Sequence, residues 1–186
     1  MKKISFYILS TALLSSAYAA DTYTVDPGHT YAHFAVSHLG FSTMRGRIDS
    51  TGGSFTIDTI DGNSGSVSVK LDPASVDTGH DKRDDHLRSP DFLNVVEFPD
   101  MSYASTSVTL TADGGSVEGN LTMMGKTLPV SLDITAMKCG EHPFSKKPTC
   151  GFDATTTIKR SSFGSQYGLP AIGDDMQLWI EVEGSR

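Results

Sequence analysis

The chain is short of the ingredients that define several large protein classes. It has only two cysteines in 186 residues, so no dense disulfide framework holds it together. Glycine and proline follow no fixed period, which excludes a collagen-like chain, and 38% hydrophobic against 20% charged residues excludes a disordered one. Basic residues are scarce, 15 Lys and Arg against 22 Asp and Glu, which argues against nucleic acid or an anionic membrane surface, since both select a basic face. Long apolar runs are missing too. The most apolar stretch, Ile4–Leu14, is about half of the roughly 20 residues that a spanning helix needs. No G-x-S-x-G, H-E-x-x-H or G-x-x-x-x-G-K-[ST] string supplies a local catalytic signature.

What is present begins with an export signal. Lys2 and Lys3 precede the apolar run, and Ala17-Tyr18-Ala19 offers small residues at the cleavage positions, so residues 1–19 read as a signal peptide and 20–186 as one domain. Loss of the two lysines makes the net charge of −7 more negative still. An acidic, exported protein without an integral membrane segment is expected. Cys139 and Cys150 then lie in an oxidising compartment, and the intervening segment with two prolines reads as a hairpin loop closed by a disulfide. A metal pair with His142 is the rival reading, and it lacks the usual close cysteine spacing.

Alternation dominates the rest. Ala32, Phe34, Val36 and His38 share one strand face while Tyr31, His33, Ala35 and Ser37 share the other. The same period of two recurs at 54–57, 67–71, 117–123, 128–134 and 178–183. Turns are expected at Thr51–Gly53, Asp61–Asn63, Ala112–Gly115 and Met124–Lys126. Many strands without interleaved helices mean an all-β sandwich or barrel. One segment, Asp81–Arg88, breaks the pattern: its lack of alternation, its Asp84/Arg88 spacing and the stop at Ser89-Pro90 predict a short helix, anchored across one end of the sheet by Leu87, Phe92 and Leu93.

Candidate site residues follow from these faces. Ala32, Phe34, Val36, Phe55, Ile57, Val69, Leu121, Met123, Ile134, Phe152, Ile158 and Ile180 point inward, either filling a core or lining a hollow interior. His38 closes the first inward face, either to meet a polar ligand head or to satisfy backbone groups at a strand end. His80, Asp84 and His86 form an acid–histidine cluster that reads as a site for acid–base work on a lipid or as the solvated, capping side of the helix. His29 and His33 sit in or next to a strand, where residues four apart are separated by roughly 13 Å, too far for a shared metal.

Longer strings carry a resemblance. Val25-Asp26-Pro27-Gly28-His29-Thr30, Phe34-Ala35-Val36-Ser37-His38 and Arg45-Gly46-Arg47 are similar to the opening of the YceI family. Arg83 to Phe92 resembles that family's central signature, Glu118 to Gly125 its "G-x-LT-x-x-G" hairpin, and Lys159 to Gly164 its closing "R-S-x-F-G". The resemblance implies an extended eight-stranded antiparallel lipocalin-like barrel with one short helix. It also implies periplasmic binding or transport of a polyisoprenoid or similar amphiphilic lipid, without a catalytic residue, metal or cofactor, and it admits a homodimer. The apolar faces above would line the ligand, with Arg45, Arg160, Asp84 and His86 at its head group. A lipid-modifying enzyme and a stress protein with a filled barrel are the alternatives. The chain departs from the pattern at the Cys139–Cys150 loop, at Thr30 and at Ala32.

Overall fold

The computed structural model describes residues 20–57, 65–111 and 114–186; the expected signal peptide, the expected turn at Asp61–Asn63 and Ala112-Asp113 lie outside the described residues. The alternating segments become strands β1 (Asp21–Val25), β2 (Tyr31–His38), β3 (Ser42–Ile57), β4 (Gly65–Leu71), β5 (Met101–Thr111), β6 (Gly114–Met123), β7 (Lys126–Glu141), β8 (Pro148–Lys159) and β9 (Ile172–Ser185). Every pairing is antiparallel. The order is β1-β3-β2-β9-β8-β7-β6-β5-β4, and a further β3–β4 pairing closes the sheet on itself.

β1 and β2 share one position in that ring. Both lie between β3 and β9: β1 pairs with 54–57 and β2 with 42–49 of the same long β3. A single 3-10 turn at Pro27–His29, capped by the Asp26 carboxylate accepting the Gly28 N–H at 2.8 Å, separates them. The nine segments therefore form eight staves, and the chain is an eight-stranded antiparallel closed barrel.

A register shift between Val36 and His38 of β2, set against Met176 and Ile172 of β9, leaves the inward face unchanged, and three β-bulges alter it. The bulges fall between Ser50 and Gly52 in β3, between Ser105 and Ser107 in β5, and between Ile134 and Ala136 in β7. Each inserts a residue and flips the parity of the inward face, as in β5, where Met101 and Tyr103 point in before the bulge and Val108 and Leu110 after it. Thr51-Gly52-Gly53 is thus a bulge inside β3, not the turn that its glycines announce. At Gly53, φ is +149° and a Cβ would stand 2.1 Å from the Ser68 carbonyl, so the strand can pass its neighbour only with glycine there.

The helix α1 spans Asp81–Arg88, as its sequence predicts. His80 caps it, its Nδ1 accepting the Arg83 N–H at 3.3 Å. The Asp84/Arg88 pair does not form. Asp84 is buried and instead accepts from the Thr78 backbone N–H and hydroxyl, while Arg88 donates to the carbonyls of Ala74 (2.7 Å) and Val76 (3.0 Å) and to Asp85 (3.1 Å). These bonds fasten the helix to the segment before it.

The barrel has two distinct ends. The β2–β3 and β6–β7 hairpins, the helix-bearing β4–β5 connection and the β8–β9 connection gather at the upper end, with the β7–β8 loop and the described termini at the lower. The lower half is packed. Tyr23 stacks on Phe55 at 5.1 Å, Phe55 meets Phe152 edge-on at 5.4 Å, and Val117, Cys150, Ala154 and Val182 complete an interior with almost no exposure. Cys139 and Cys150 are bonded, their Cα atoms 4.1 Å apart in register across β7 and β8, and Ile134–Lys138 pairs with Gly151–Thr155 as the stapled hairpin requires. His142 takes no part: its Nδ1 accepts the N–H groups of Phe144 and Ser145 and shapes the loop.

Candidate functional site

Above that packed half the barrel is hollow. The cavity has a volume of about 280 Å³, nearly twice the roughly 150 Å³ of an apolar cavity that admits benzene. Phe152 and Val182 form its floor. Its wall comes from inward positions on all eight staves, including Phe34 and Val36 of β2, Met44 and Ile48 of β3, Val67, Val69 and Leu71 of β4, Tyr103 of β5, Leu121 and Met123 of β6, Leu132 of β7, Ile158 of β8 and Leu178 and Ile180 of β9. Four of the seven methionines, Met44, Met101, Met123 and Met176, face it, which gives the wall flexible, polarisable side chains that adapt to a ligand's shape. The side chains of Leu87, Phe92 and Leu93 close part of its top, the anchoring role expected of them.

The mouth is polar and lies at this upper end. His38, Arg83, His86 and Tyr167 combine cavity contact with exposure. His86 donates from Nε2 to Asp91 at 2.8 Å, and its ring joins Phe92 and Tyr167 in a triangle of edge contacts at 5.0 to 5.2 Å. Deeper in, the Tyr103 hydroxyl bridges the carbonyls of Val117 and Val130, both at 3.0 Å; burial, with Glu118 nearby, pushes its pKa up to about 12, so it stays a neutral donor.

Arg160 also borders the cavity, at 2% exposure. Its guanidinium donates to the carbonyls of Gly173 (2.8 Å), Ser165, Tyr167 and Ile172 (each 3.0 Å), so its donors are committed to the protein. Burial pushes its pKa down, and the nearby Asp174 charge opposes that. Arg160 is a clamp on the β8–β9 connection and is not free to grip a head group with these hydrogens.

The expected site residues therefore divide. Ala32, Phe34, Val36, His38, Val69, Leu121, Met123, Phe152, Ile158, Ile180, Arg160 and His86 border the cavity. Phe55, Ile57 and Ile134 do not: they point inward or pack against the core, but in the filled lower half. Arg45 faces out, because Met44 beside it faces in and its register partner Ala35 belongs to the outer face of β2. Asp84 turns from the cavity to Thr78, whose bonds hold its carboxyl below the usual range although burial alone would raise it. With His80 engaged in capping and Asp84 in the Thr78 contact, the acid–histidine cluster is not assembled. Among the described residues no group of three or more His, Cys, Asp or Glu could hold a metal. His29 pairs with Asp26 at 2.9 Å and His33 with Glu181 at 3.2 Å.

The wall residues that alternation alone did not single out include Met44, Ile48, Met101, Tyr103, Tyr167 and Met176. Extending the period of two along β3 and β9 reaches Met44, Ile48 and Met176; the serine- and threonine-rich β5 gives a weaker signal, broken by its bulge.

The YceI-like domain matches residues 23–184, almost the whole barrel. The chain belongs to the YceI family. Protein YceI of Salmonella arizonae is 36% identical over 188 residues, an alignment that covers 99% of this chain and 98% of that one. The fold resembles that of Burkholderia cenocepacia BcnA, with a TM-score of 0.70 at 20% identity over 86% of this chain and 98% of BcnA. It also resembles a polyisoprenoid binding domain from Saccharophagus degradans implicated in plant cell wall breakdown, with a TM-score of 0.60 at 16% identity over 88% and 97% of the two chains. At these identities the two structures establish a shared fold. Of the YceI-like strings, Arg83–Phe92 and Lys159–Gly164 fall at the upper end around the mouth of the cavity, Glu118–Gly125 runs up β6 to the hairpin there, and Val25–Thr30 lies lower, at the turn between β1 and β2.

Proposed function

We propose that this YceI-family protein binds a long-chain amphiphilic lipid, an isoprenoid chain foremost, and carries or stores it in the periplasm after export through residues 1–19. The observation that carries this reading is the apolar cavity, closed below by Phe152 and Val182 and open at a polar mouth. A hydrocarbon chain entering it gains roughly 0.8 kcal/mol per buried CH₂, so retention needs no catalytic group. The methionine wall widens the range of chains that fit. A solved protein of the same fold is described as a polyisoprenoid binding domain, which favours that chain chemistry. The tail runs along Phe34 and Val36, and the polar head rests near His38, Arg83 and His86. Every described strand has two neighbours, so no open edge demands a partner copy. A monomer and a homodimer both suit the reading, and light scattering distinguishes them.

Lipid extraction and native mass spectrometry of protein from its own periplasm test the reading. A stoichiometric long-chain lipid is expected. Its absence, together with no rise in melting temperature on adding polyprenyl lipids, would overturn the proposal. The face is tested separately: Val36→Asp, which sets a charge against the chain at a cost of several kcal/mol, abolishes retention in a folded variant, while Ser37→Asp on the outer face keeps it. Equal retention by the two refutes the proposed path of the tail.

A further inference from the structure

We infer that the upper rim of the barrel docks directly on the surface of a lipid bilayer, so that cargo passes between membrane and cavity during contact; this rests on the lipid-carrier reading. The first observation is a local absence of charge. In a chain that is 20% charged, Pro27–Met44 and Ser161–Gly173 contain no Asp, Glu, Lys or Arg. The fold brings the two segments together at the mouth, where the Leu39 N–H donates to the Ala171 carbonyl at 2.8 Å and His38 pairs with Ile172.

The second observation is what this uncharged rim displays. Phe41 is 90% exposed, Leu39 51% and Tyr167 48%. They are held on firm supports. The β2–β3 tip turns through Leu39 (φ 53°) and Gly40 (φ 73°) and closes with the Phe41 N–H on the His38 carbonyl at 3.0 Å, and Arg160 grips the opposing loop from beneath through the carbonyls of Ser165, Tyr167, Ile172 and Gly173. An apolar side chain on a fixed tip meets a lipid interface without the entropy cost of ordering a loop, and aromatic residues suit the depth of the head groups.

The third observation selects the occupant. His38 lines the cavity and is the residue before this tip, so the rim is continuous with the opening through which a chain must pass. The tip and the facing loop carry no Asp, Glu, Lys or Arg, so they press against acyl chains without desolvating a charge of their own, while Arg83, Lys126 and the His86–Asp91 pair beside them on the upper end stay among the head groups. The protein's negative charge gives no attraction to anionic lipid, so contact is apolar and depends little on salt.

Transfer of a fluorescent long-chain lipid from the loaded protein to phosphatidylcholine vesicles tests this. The rate is expected to rise with vesicle concentration and to be nearly unchanged by salt. Phe41→Asp lowers it by about tenfold or more, while native mass spectrometry finds lipid retention unchanged. Phe144→Asp, at an equally exposed position on the lower end, leaves both at the wild-type level. A rate independent of vesicle concentration, or a Phe41→Asp variant that transfers like the wild type, overturns the inference while leaving the carrier reading standing. So does a dimer that Phe41→Asp dissolves, since a second copy then occupies the rim. A wild-type protein that retains no lipid overturns the carrier reading itself.

Discussion

The lower and upper halves of this barrel share the same strands and the same inward alternation, yet one is filled and the other hollow. Below, Tyr23 stacks on its neighbouring-strand partner Phe55, Phe152 packs edge-on against Phe55, and Cys150 is fixed in the same level by its bond to Cys139. Above, Val36, Val69, Met44 and Met123 leave the axis empty, and the helix that caps the space sets Leu87 on the rim of the core and is fastened through arginine contacts to its own connection. Tyr23 and Phe55 are register partners on neighbouring strands and Phe152 meets Phe55 from β8, so three rings fill one level of the interior, whereas Phe34 and Tyr103 at the upper level pair with no other ring among the described residues. The clustering of side chains, not a change in backbone architecture, draws the boundary between scaffold and container.

The largest expected contrast comes from truncating one phenylalanine in each half. Phe55→Ala opens a new hole in a packed interior and costs about 3–5 kcal/mol of stability. Phe34→Ala, whose ring already borders empty space, forfeits fewer contacts and costs roughly 1–2 kcal/mol. Urea unfolding of the lipid-free variants measures both, and equal losses would break the distinction between the halves. Next in size is the disulfide. Reduction, or replacement of both cysteines by serine, removes about 2–3 kcal/mol for a loop of this length. Because the bond sits in the filled half, the protein stays folded and the NMR signals of His86, Phe92 and Tyr167 at the mouth hold their positions; their movement would show that the halves are mechanically coupled.

The smallest effect belongs to Asp84, at the upper end. Its folded pKa lies below the ordinary 3.8, because the Thr78 bonds outweigh burial, so the ionised form stabilises the fold above the unfolded carboxyl's range and that contribution fades as pH falls through the lower, folded value. The melting-temperature advantage of the wild type over Asp84→Asn is therefore full near neutral pH and shrinks in acid below the usual carboxyl range. An advantage that is flat down to strong acid would mean that the Thr78 contact does not depend on the charge.

Alternation made much of this legible. The β2 face from Ala32 to His38, the helix limits and the cysteine staple all follow from local pattern, because strand period, helix caps and loop closure are local physics. Height along the barrel is not. Phe55 and Ile134 obey the same inward rule as Phe34, and nothing in a period of two tells a residue at the floor from one at the mouth. The bulges hide more, since a parity change at Ser105–Ser107 makes β5 look irregular until its partner strand is known. Arg45 could have been excluded from the sequence, because the outward parity of Ala35 passes across the β2–β3 hairpin to its partner. Arg160 could not: a buried arginine satisfied by four carbonyls and a mouth arginine awaiting an anion have the same letter and the same neighbours in sequence.

The shared stave of β1 and β2 also governs the order in which the molecule can assemble. Both strands find one neighbour in β3, made early, and the other in β9, the last strand of the chain; the Thr30 hydroxyl and the Glu183 backbone bond across a separation of 153 residues. A chain emerging from its N-terminus can form the β2–β3 hairpin and the run from β3 to β8 at once, but the seam stays open until the final fourteen residues arrive. Up to that moment β2 and β8 each present a bare edge, and the hollow that will become the container is an unrolled, water-facing sheet. Closure thus waits on β9, and a chain cut short at residue 171 lacks the strand that joins β8 to β1 and β2 and encloses nothing.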